Sequence, residues 1–545
     1  MINTVWGSTD KPVSSKRLAE LLSYNQQNID GTLYIGYPII GTPEGSFPID
    51  ALLVSPTKGL VLFSLVEGKT LPNVAELQDE AYNKMQAKLL QHQVLICKRE
   101  LLVKIQTVTF APAVPKIDSH ADDGHAICDA TSLIPTIDKL QNSDVKIYSA
   151  LVSVIQAIST LRRGRKKREL HDPCSRGTKI KALEDSIANL DSQQSAAVVE
   201  TFDGVQRIRG LAGSGKTIVL ALKVAYLHVR HPDWLIAVTF NTRSLKKQFE
   251  NLITTFVLEQ ANEEPDWDKV RILNAWGAPG GKDRTGIYYE FCRDHSVEYL
   301  DFRSAGRFGV GLQFEGACDI ALQNVKTFVP KYDAILVDEA QDFSPNFLLM
   351  CYEYLKEPKR LVYAYDELQN LGKKSLPPVE EIFGKHPDGT ARVTIHHPEQ
   401  GKPKQDIILE ICYRNSRPVL STAHALGFGI YRTDGIVQIF ENKNLWLDIG
   451  YKAKDDNLVD GSPVSLRRTP KSSPEFLEKH SAIDDLISFE VFNSTEAQTT
   501  WLVEAIQKNL RTDELLPDDI VVINVTCQAK AWSRGIFRDT LCRAA

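Results

Sequence analysis

At 545 residues, with 43% hydrophobic and 24% charged side chains, the chain is long enough for several hydrophobic cores and too apolar for a disordered protein. A formal net charge of −5 excludes a globally basic nucleic-acid binder but not a local basic surface. No apolar run reaches the length of a membrane span, and the nine cysteines include no C-x-x-C pair, so a cytoplasmic protein with reduced thiols and no zinc ribbon is expected.

The first element is a helix from Ser14 to about Tyr24, with leucines at 18, 21 and 22 and an acid at Glu20. Two strands follow, Ile49 to Val54 and Leu60 to Lys69, joined by the turn Ser55-Pro56-Thr57-Lys58-Gly59. Such a hairpin carries Asp50 on one strand and Glu67 with Lys69 at the end of the next. Two acids and a lysine placed this way can converge on Mg²⁺ and a water, Asp50 and Glu67 as metal ligands and Lys69 steadying the nucleophile or the scissile phosphate. The bland alternative is a solvent-facing Asp50 and a same-face charge pair of Glu67 with Lys69. Helical periodicity runs from 72 to 105, and Val108 to Phe110 reads as a strand. His120, Asp122, Asp123 and His125 lie in a polar interval that reads as a solvated loop more readily than as a metal site. A helix from about Asp144 to Leu161 then runs into the basic cluster Arg162 to Arg168, read as an exposed interdomain connector with some DNA affinity, with a solvated flexible linker and a nuclear targeting signal as the alternatives.

The strongest signal is Gly210-Leu-Ala-Gly213-Ser214-Gly215-Lys216-Thr217, which fits the phosphate-loop pattern G-x-x-x-x-G-K-[ST] between an apolar strand and a helix. Glycines let backbone amides turn toward an anion, Lys216 reaches the terminal phosphates, and Thr217 offers its hydroxyl to Mg²⁺. ATP and Mg²⁺ are therefore the expected substrate and cofactor. Upstream, the amide of Gln194 can read an adenine edge. Downstream, Trp234 to Phe240 reads as a strand followed by Asn241, where an aromatic and polar pair suits contact with nucleic acid. The run Ala334 to Val337 is a buried strand ending in Asp338 and Glu339, one acid for the metal and one for the attacking water. A further strand from Arg360 leads to Asp366 and Gln369.

In this order, Gln194, the phosphate loop, Thr239-Phe240-Asn241, Asp338-Glu339-Ala340-Gln341 and Gln369 resemble superfamily 1 DNA helicases of the UvrD type. The resemblance implies an α/β chain of P-loop NTPase, RecA-like parallel sheets, the second incomplete, with Gln369 sensing the γ-phosphate and Thr239, Phe240 and Asn241 contacting DNA. Ile272 to Gly277 holds the place of another DNA-contacting motif but lacks its His-Ser. Tyr413-Arg414 resembles the motif that stacks on adenine and reaches the γ-phosphate from across the cleft. Glu496 to Leu510 reads as a helix and Asp519 to Val525 as a strand of the second sheet, but no late helicase motifs follow within residues 529 to 543. The N-terminal hairpin resembles the PD-(D/E)xK fold of nuclease-related domains, which implies an α+β nuclease-like domain, although Gly68 stands where an apolar strand residue is usual. The expected domains are 1–115 (nuclease-like), 116–185 (helical connector), 186–410 (first ATPase domain, with an insertion at about 257–330) and 411–545 (partial second domain). The expected activity is ATP hydrolysis coupled to single-stranded DNA, in repair or defence against foreign DNA, with DNA and a protein completing the second domain as partners; a nucleotide-gated DNA sensor is the alternative.

Overall fold

Two six-stranded sheets organise the chain, each built from apolar runs closed off by turns. The structure is a computed structural model and describes residues 2–7, 9–24, 29–37, 39–42, 45–98, 100–114, 125–140, 147–156, 168, 170–186, 190–281, 284–366, 368–369, 376–396, 402–436, 443–453, 463 and 465–523. His120, Asp122, Asp123, the basic run 162–167 and residues 524–545 lie outside these.

The N-terminal sheet runs in chain order: β1 (Ile2–Trp6), β2 (Gly31–Ile35), β3 (Ala51–Ser55), β4 (Gly59–Leu65), β5 (Ile105–Phe110) and β6 (Ala126–Cys128). β2, β3 and β4 form an antiparallel meander, while β1, β5 and β6 add in parallel. Every residue of β3 and β4 is buried, because both faces of the sheet are covered. With side chains alternating at period two, Leu53, Val61 and Phe63 pack toward α1 (Pro12–Tyr24), and Leu52, Leu60 and Leu62 pack toward α2 (Val74–Leu90). This unit continues past the expected boundary at 115. β6 pairs with β5, and the helices α3 (Leu133–Lys139) and α4 (Tyr148–Ile155) pack into the same cores.

Residues 168–186, expected to belong to a connector, dock elsewhere. The helix α5 (Arg176–Ser186) brings Arg176 to Asp485, and Arg168 pairs with Asp519 at 2.5 Å.

The second sheet is wholly parallel, with strands β7 (Val205–Gly210), β8 (Ile236–Phe240), β9 (Val270–Asn274), β10 (Tyr332–Val337), β11 (Leu355–Tyr365) and β12 (Asp406–Leu409) in the order β9-β8-β10-β11-β7-β12. Helices α6 (Ser192–Val199), α7 (Lys216–Arg230) and α8 (Leu245–Ala261) cover one face. On the other face lie α9 (Ile287–Asp294), α10 (Gln313–Asn324) and α11 (Pro345–Glu353).

The two units share one hydrophobic core. Tyr34, Leu62 and Met85 of the first join Val198, Leu220 and Tyr226 of the second, and the Tyr37 and Tyr226 rings lie 5.9 Å apart. At this seam the Gln156 amide donates to Tyr34 Oη, Ser195 Oγ and the Leu190 carbonyl, and accepts from the Leu190 amide at 2.9 Å.

Beyond β12, the helix α12 (Arg417–Phe428), a short antiparallel ribbon of Tyr451–Ala453 with Leu466–Arg468, and the helix α13 (Thr495–Arg511) follow. No second parallel sheet forms among the described residues. Of the strand expected at Asp519 to Val525, the described residues form a 3₁₀ turn at Pro517–Asp519 and a stretch to Ile523 outside any strand, in which Val521 and Ile523 are exposed; 524 and 525 lie outside the described residues. A parallel strand needs a hydrogen-bonded neighbour, and none is supplied there. Among the described residues no helix is long and apolar enough to cross a membrane.

Candidate functional site

All six strands of the second sheet run the same way, so their C-terminal ends share one edge, where such sheets bind ligands. β7 ends in the phosphate loop, β10 in Asp338 and β11 in Asp366. Gly213 and Gly215 take left-handed backbone at φ +90° and +89°. A Cβ at Gly213 would come within 2.7 Å of Arg414 Cβ, and one at Gly215 within 2.8 Å of Gln194 Nε2. Both glycines are therefore required by conformation and by space.

Thr217 Oγ1 donates to Asp338 Oδ2 at 2.8 Å, which joins the helix start and the acid strand, two points far apart in the chain. Lys216 Nζ donates to the carbonyls of Gly210 at 2.9 Å and Leu211 at 3.3 Å, curled back over its own loop. Asp338 is fully buried. Burial, together with the adjacent Glu339 charge, pushes its carboxyl up to about 6 against the opposing pull of Thr217 and Lys216. Glu339 itself has φ +51°, an unusual conformation for a residue with a Cβ, and Gln341 Nε2 holds its Oε2 at 2.7 Å. The Gln341 Oε1 accepts from the Asp366 amide at 3.1 Å, so one side chain ties the β10 and β11 ends together. Asp366 is buried too, and burial raises its carboxyl against the attraction of Lys216. Gln369 is exposed, three residues past Asp366.

Gln194 stands beside the loop, its Nε2 donating to the Ser214 carbonyl at 2.8 Å and its Oε1 accepting from the Asp191 amide at 3.0 Å. One N–H and one lone pair of that amide stay available for a base edge. Asp191 in turn caps α6 and accepts from Tyr413 Oη at 2.8 Å. Gln341 closes the Asp338-Glu339-Ala340-Gln341 run, whereas Asp191 lies outside the expected site residues, although D-x-x-Q at 191 to 194 is a capping-box pattern open to inspection. The segment after β12 lies over the phosphate loop. Tyr413 N donates to the Gly213 carbonyl, and Cys412 Sγ and Asn415 Nδ2 donate to that of Ala212. Arg414 is exposed and forms no ion pair among the described residues.

Two features speak for an anionic ligand with a cation. The buried Ser214 Oγ, inside the loop, has no hydrogen-bond partner among the described residues, and Thr217 faces a carboxylate whose charged form burial disfavours. Thr217 and Asp338 fit Mg²⁺ brought in with a nucleotide, a site that uses few protein ligands and substrate phosphates. Among the described residues no group of three or more His, Cys, Asp or Glu could hold a metal unaided.

The expected nucleic-acid residues divide. Thr239 and Phe240 are fully buried, and Phe240 stacks on Phe249 at 5.5 Å. Neither face of that ring is open to a base; alternation along β8 turns it into the core. Asn241, one residue later, is exposed on the same edge with Thr242 and Arg243.

The N-terminal carboxylates are engaged locally. Asp50 Oδ2 accepts from Lys11 Nζ at 2.6 Å and from the Leu65 amide at 2.9 Å. Glu67 accepts from the amides of Val13 and Ser14 at 3.1 and 3.0 Å, capping the start of α1. Burial pushes the Glu67 carboxyl up, but the Ser14 and Val13 hydrogen bonds and Lys11 outweigh it and hold it below its ordinary value. β4 ends at Leu65, and Gly68 at φ +93° turns the chain, so Lys69 sits exposed beyond the strand and Lys11 takes the place beside Asp50. Glu20 pairs with Arg17 on α1.

No family model matches this chain, and no curated protein matches it. Among solved structures it is similar to an ATP-dependent Type ISP restriction-modification enzyme, LlaBIII, bound to DNA, at 12% sequence identity and a TM-score of 0.17, over 64% of this chain and 21% of that one. The chain thus spans about a fifth of that enzyme's length, and a likeness of this extent carries no functional argument.

Proposed function

We propose that the chain is an ATP hydrolase of the DNA-helicase class, with the β7 to β12 sheet as a RecA-like motor domain of the UvrD type. The observation that carries this reading is the 2.8 Å bond from Thr217 to Asp338, which sets the phosphate loop against two adjacent acids on one sheet edge. In this reading Lys216 leaves the Gly210 and Leu211 carbonyls for the β- and γ-phosphates. Thr217 and Asp338 hold Mg²⁺, which neutralises charge on the phosphate oxygens when bound. Glu339, steadied by Gln341, orients the attacking water and accepts its proton, and the water oxygen displaces ADP at the γ-phosphorus. Arg414, exposed and packed on the loop through its Cβ, meets the charge that builds on the γ-phosphate oxygens. Tyr413 and Gln194 border the base. For the N-terminal unit we propose a structural role for Asp50 and Glu67 as tethers of α1.

A second reading has an observation of its own. With no second parallel sheet among the described residues, the site supports a nucleotide-gated DNA sensor without unwinding. ATP turnover with and without single-stranded DNA separates the two, since a motor is stimulated many-fold and a sensor is not. The Lys216→Ala chain should show neither turnover nor nucleotide binding; retained turnover removes both readings.

A further inference from the structure

Along the C-terminal edge of the second sheet, the order outward from the phosphate loop is Asp366, Asp338, Asn241 and then Trp276, just past the end of the edge strand β9. The Ala275 amide donates to the Phe240 carbonyl at 3.0 Å, so the Asn241 and Trp276 loops leave the sheet side by side. Trp276 is pinned by Nε1 donating to the Leu300 carbonyl at 2.9 Å, and its ring lies 5.8 Å from that of Phe302. Phe302 opens a short rigid tip. Asp301 caps it by accepting from Ser304 N and Oγ, both at 2.7 Å, and the 3₁₀ turn Ser304–Phe308 follows.

Phe302 is 68% exposed, although its ring lies against Trp276. Arg303 and Arg307 flank it, exposed and without an ion pair among the described residues. Deeper in the same segment, by contrast, Arg271 pairs with Glu290, Arg293 with Asp294, and Lys331 with both acids. The guanidinium of Arg307 stands over the Phe308 ring at 5.0 Å, and Phe308 is seated against Gly316 of α10. An exposed aromatic ring on a capped turn, with Arg303 beside it and Arg307 further along the same turn, suits a base followed by its phosphates.

We propose that Phe302, with Arg303 and Arg307, is a stacking platform for single-stranded nucleic acid, gripping the strand after it crosses Asn241 and Arg243. The ring takes a base by π-stacking, and the arginines take the adjoining phosphates, with no preference among bases. This rests on the proposed helicase-class reading and gives that site a contact which Phe240, buried in the core, does not provide.

The test is fluorescence anisotropy of a labelled oligodeoxythymidylate spanning ~16 nucleotides, with the full chain and its Phe302→Ala, Phe302→Trp and Arg303→Ala/Arg307→Ala variants. Loss of one stack should weaken binding by roughly 5- to 100-fold in Phe302→Ala. Phe302→Trp should restore it, and the double arginine variant should reduce the salt slope by roughly one to two. ATP turnover without nucleic acid should be the same in all four chains. Equal affinity of the parent and Phe302→Ala chains overturns the platform alone; failure of the parent chain to bind the oligonucleotide overturns the helicase-class reading along with it.

Discussion

The two sheets each present acids at a strand end, and they treat them in opposite ways. In the N-terminal unit, Asp50 and Glu67 accept from Lys11, from the Leu65 amide and from the first turn of α1, so their charge is answered within the fold. In the second unit, Asp338 is buried deeper, accepts from Thr217 and the adjacent Glu339 amide, and has a carboxyl raised to about 6, while Ser214 Oγ nearby has no hydrogen-bond partner among the described residues. A satisfied carboxylate holds structure; one burdened by burial, beside a glycine loop, awaits a counter-charge. Spacing in the chain does not distinguish the two, and hydrogen-bond partners do.

The sharpest way to break the contrast is at Arg414. If it meets the γ-phosphate, Arg414→Ala should lower the turnover rate by about 10³-fold with nucleotide affinity changed little, measured by steady-state ATP hydrolysis and by nucleotide titration. Glu339→Gln keeps the hydrogen bonds and loses the base, so turnover should fall by roughly 10²- to 10⁴-fold while Mg·ATP binding persists. A third test uses pH. Because the Asp338 carboxyl titrates at about 6, Mg²⁺-dependent nucleotide affinity should fall roughly tenfold for each unit below that value. The sign for folding is the reverse. The raised value favours the protonated form in the folded apoprotein, so this group's contribution to stability is present below 3.8 and lost as pH rises through about 6, and Asp338→Asn should flatten that part of a melting-temperature profile. The smallest effect belongs to the N-terminal unit. Glu67→Ala removes a helix cap and should cost about 1 kcal/mol in chemical denaturation, leaving ATP turnover unchanged. A large loss of Mg²⁺-dependent DNA cleavage in that variant would turn the comparison around.

The strand, loop and helix from 205 to 230 and the buried strand that leads into Asp338 are legible in the sequence because each depends on a few contiguous residues with rigid requirements, such as the left-handed backbone at Gly213 and Gly215. Phe240 is buried, which its motif does not show, since a motif names the residue and not the direction of its ring, which strand alternation sets. Glu67-Gly68-Lys69 looked like a strand end bearing a catalytic pair, but the turn at Gly68 separates the two side chains from the strand. The docking of α5 onto residues 485 to 519 was beyond reach, since ion pairs such as Arg168 with Asp519 join points with no local pattern between them. The outcome at 519 to 523 has the same origin: strand propensity there is local, whereas pairing, which the described residues do not supply, is not.

The Gln156 amide, held by four hydrogen bonds at the seam, means that the chain has no clean place to be cut between its two sheets. Excising the first 156 residues would strip Tyr226, Leu220 and Val198 of their cover and take away the group that braces Leu190 and Ser195 at the head of the nucleotide-side helix. The second sheet is therefore not a severable module, and heat or denaturant should melt both sheets in one transition.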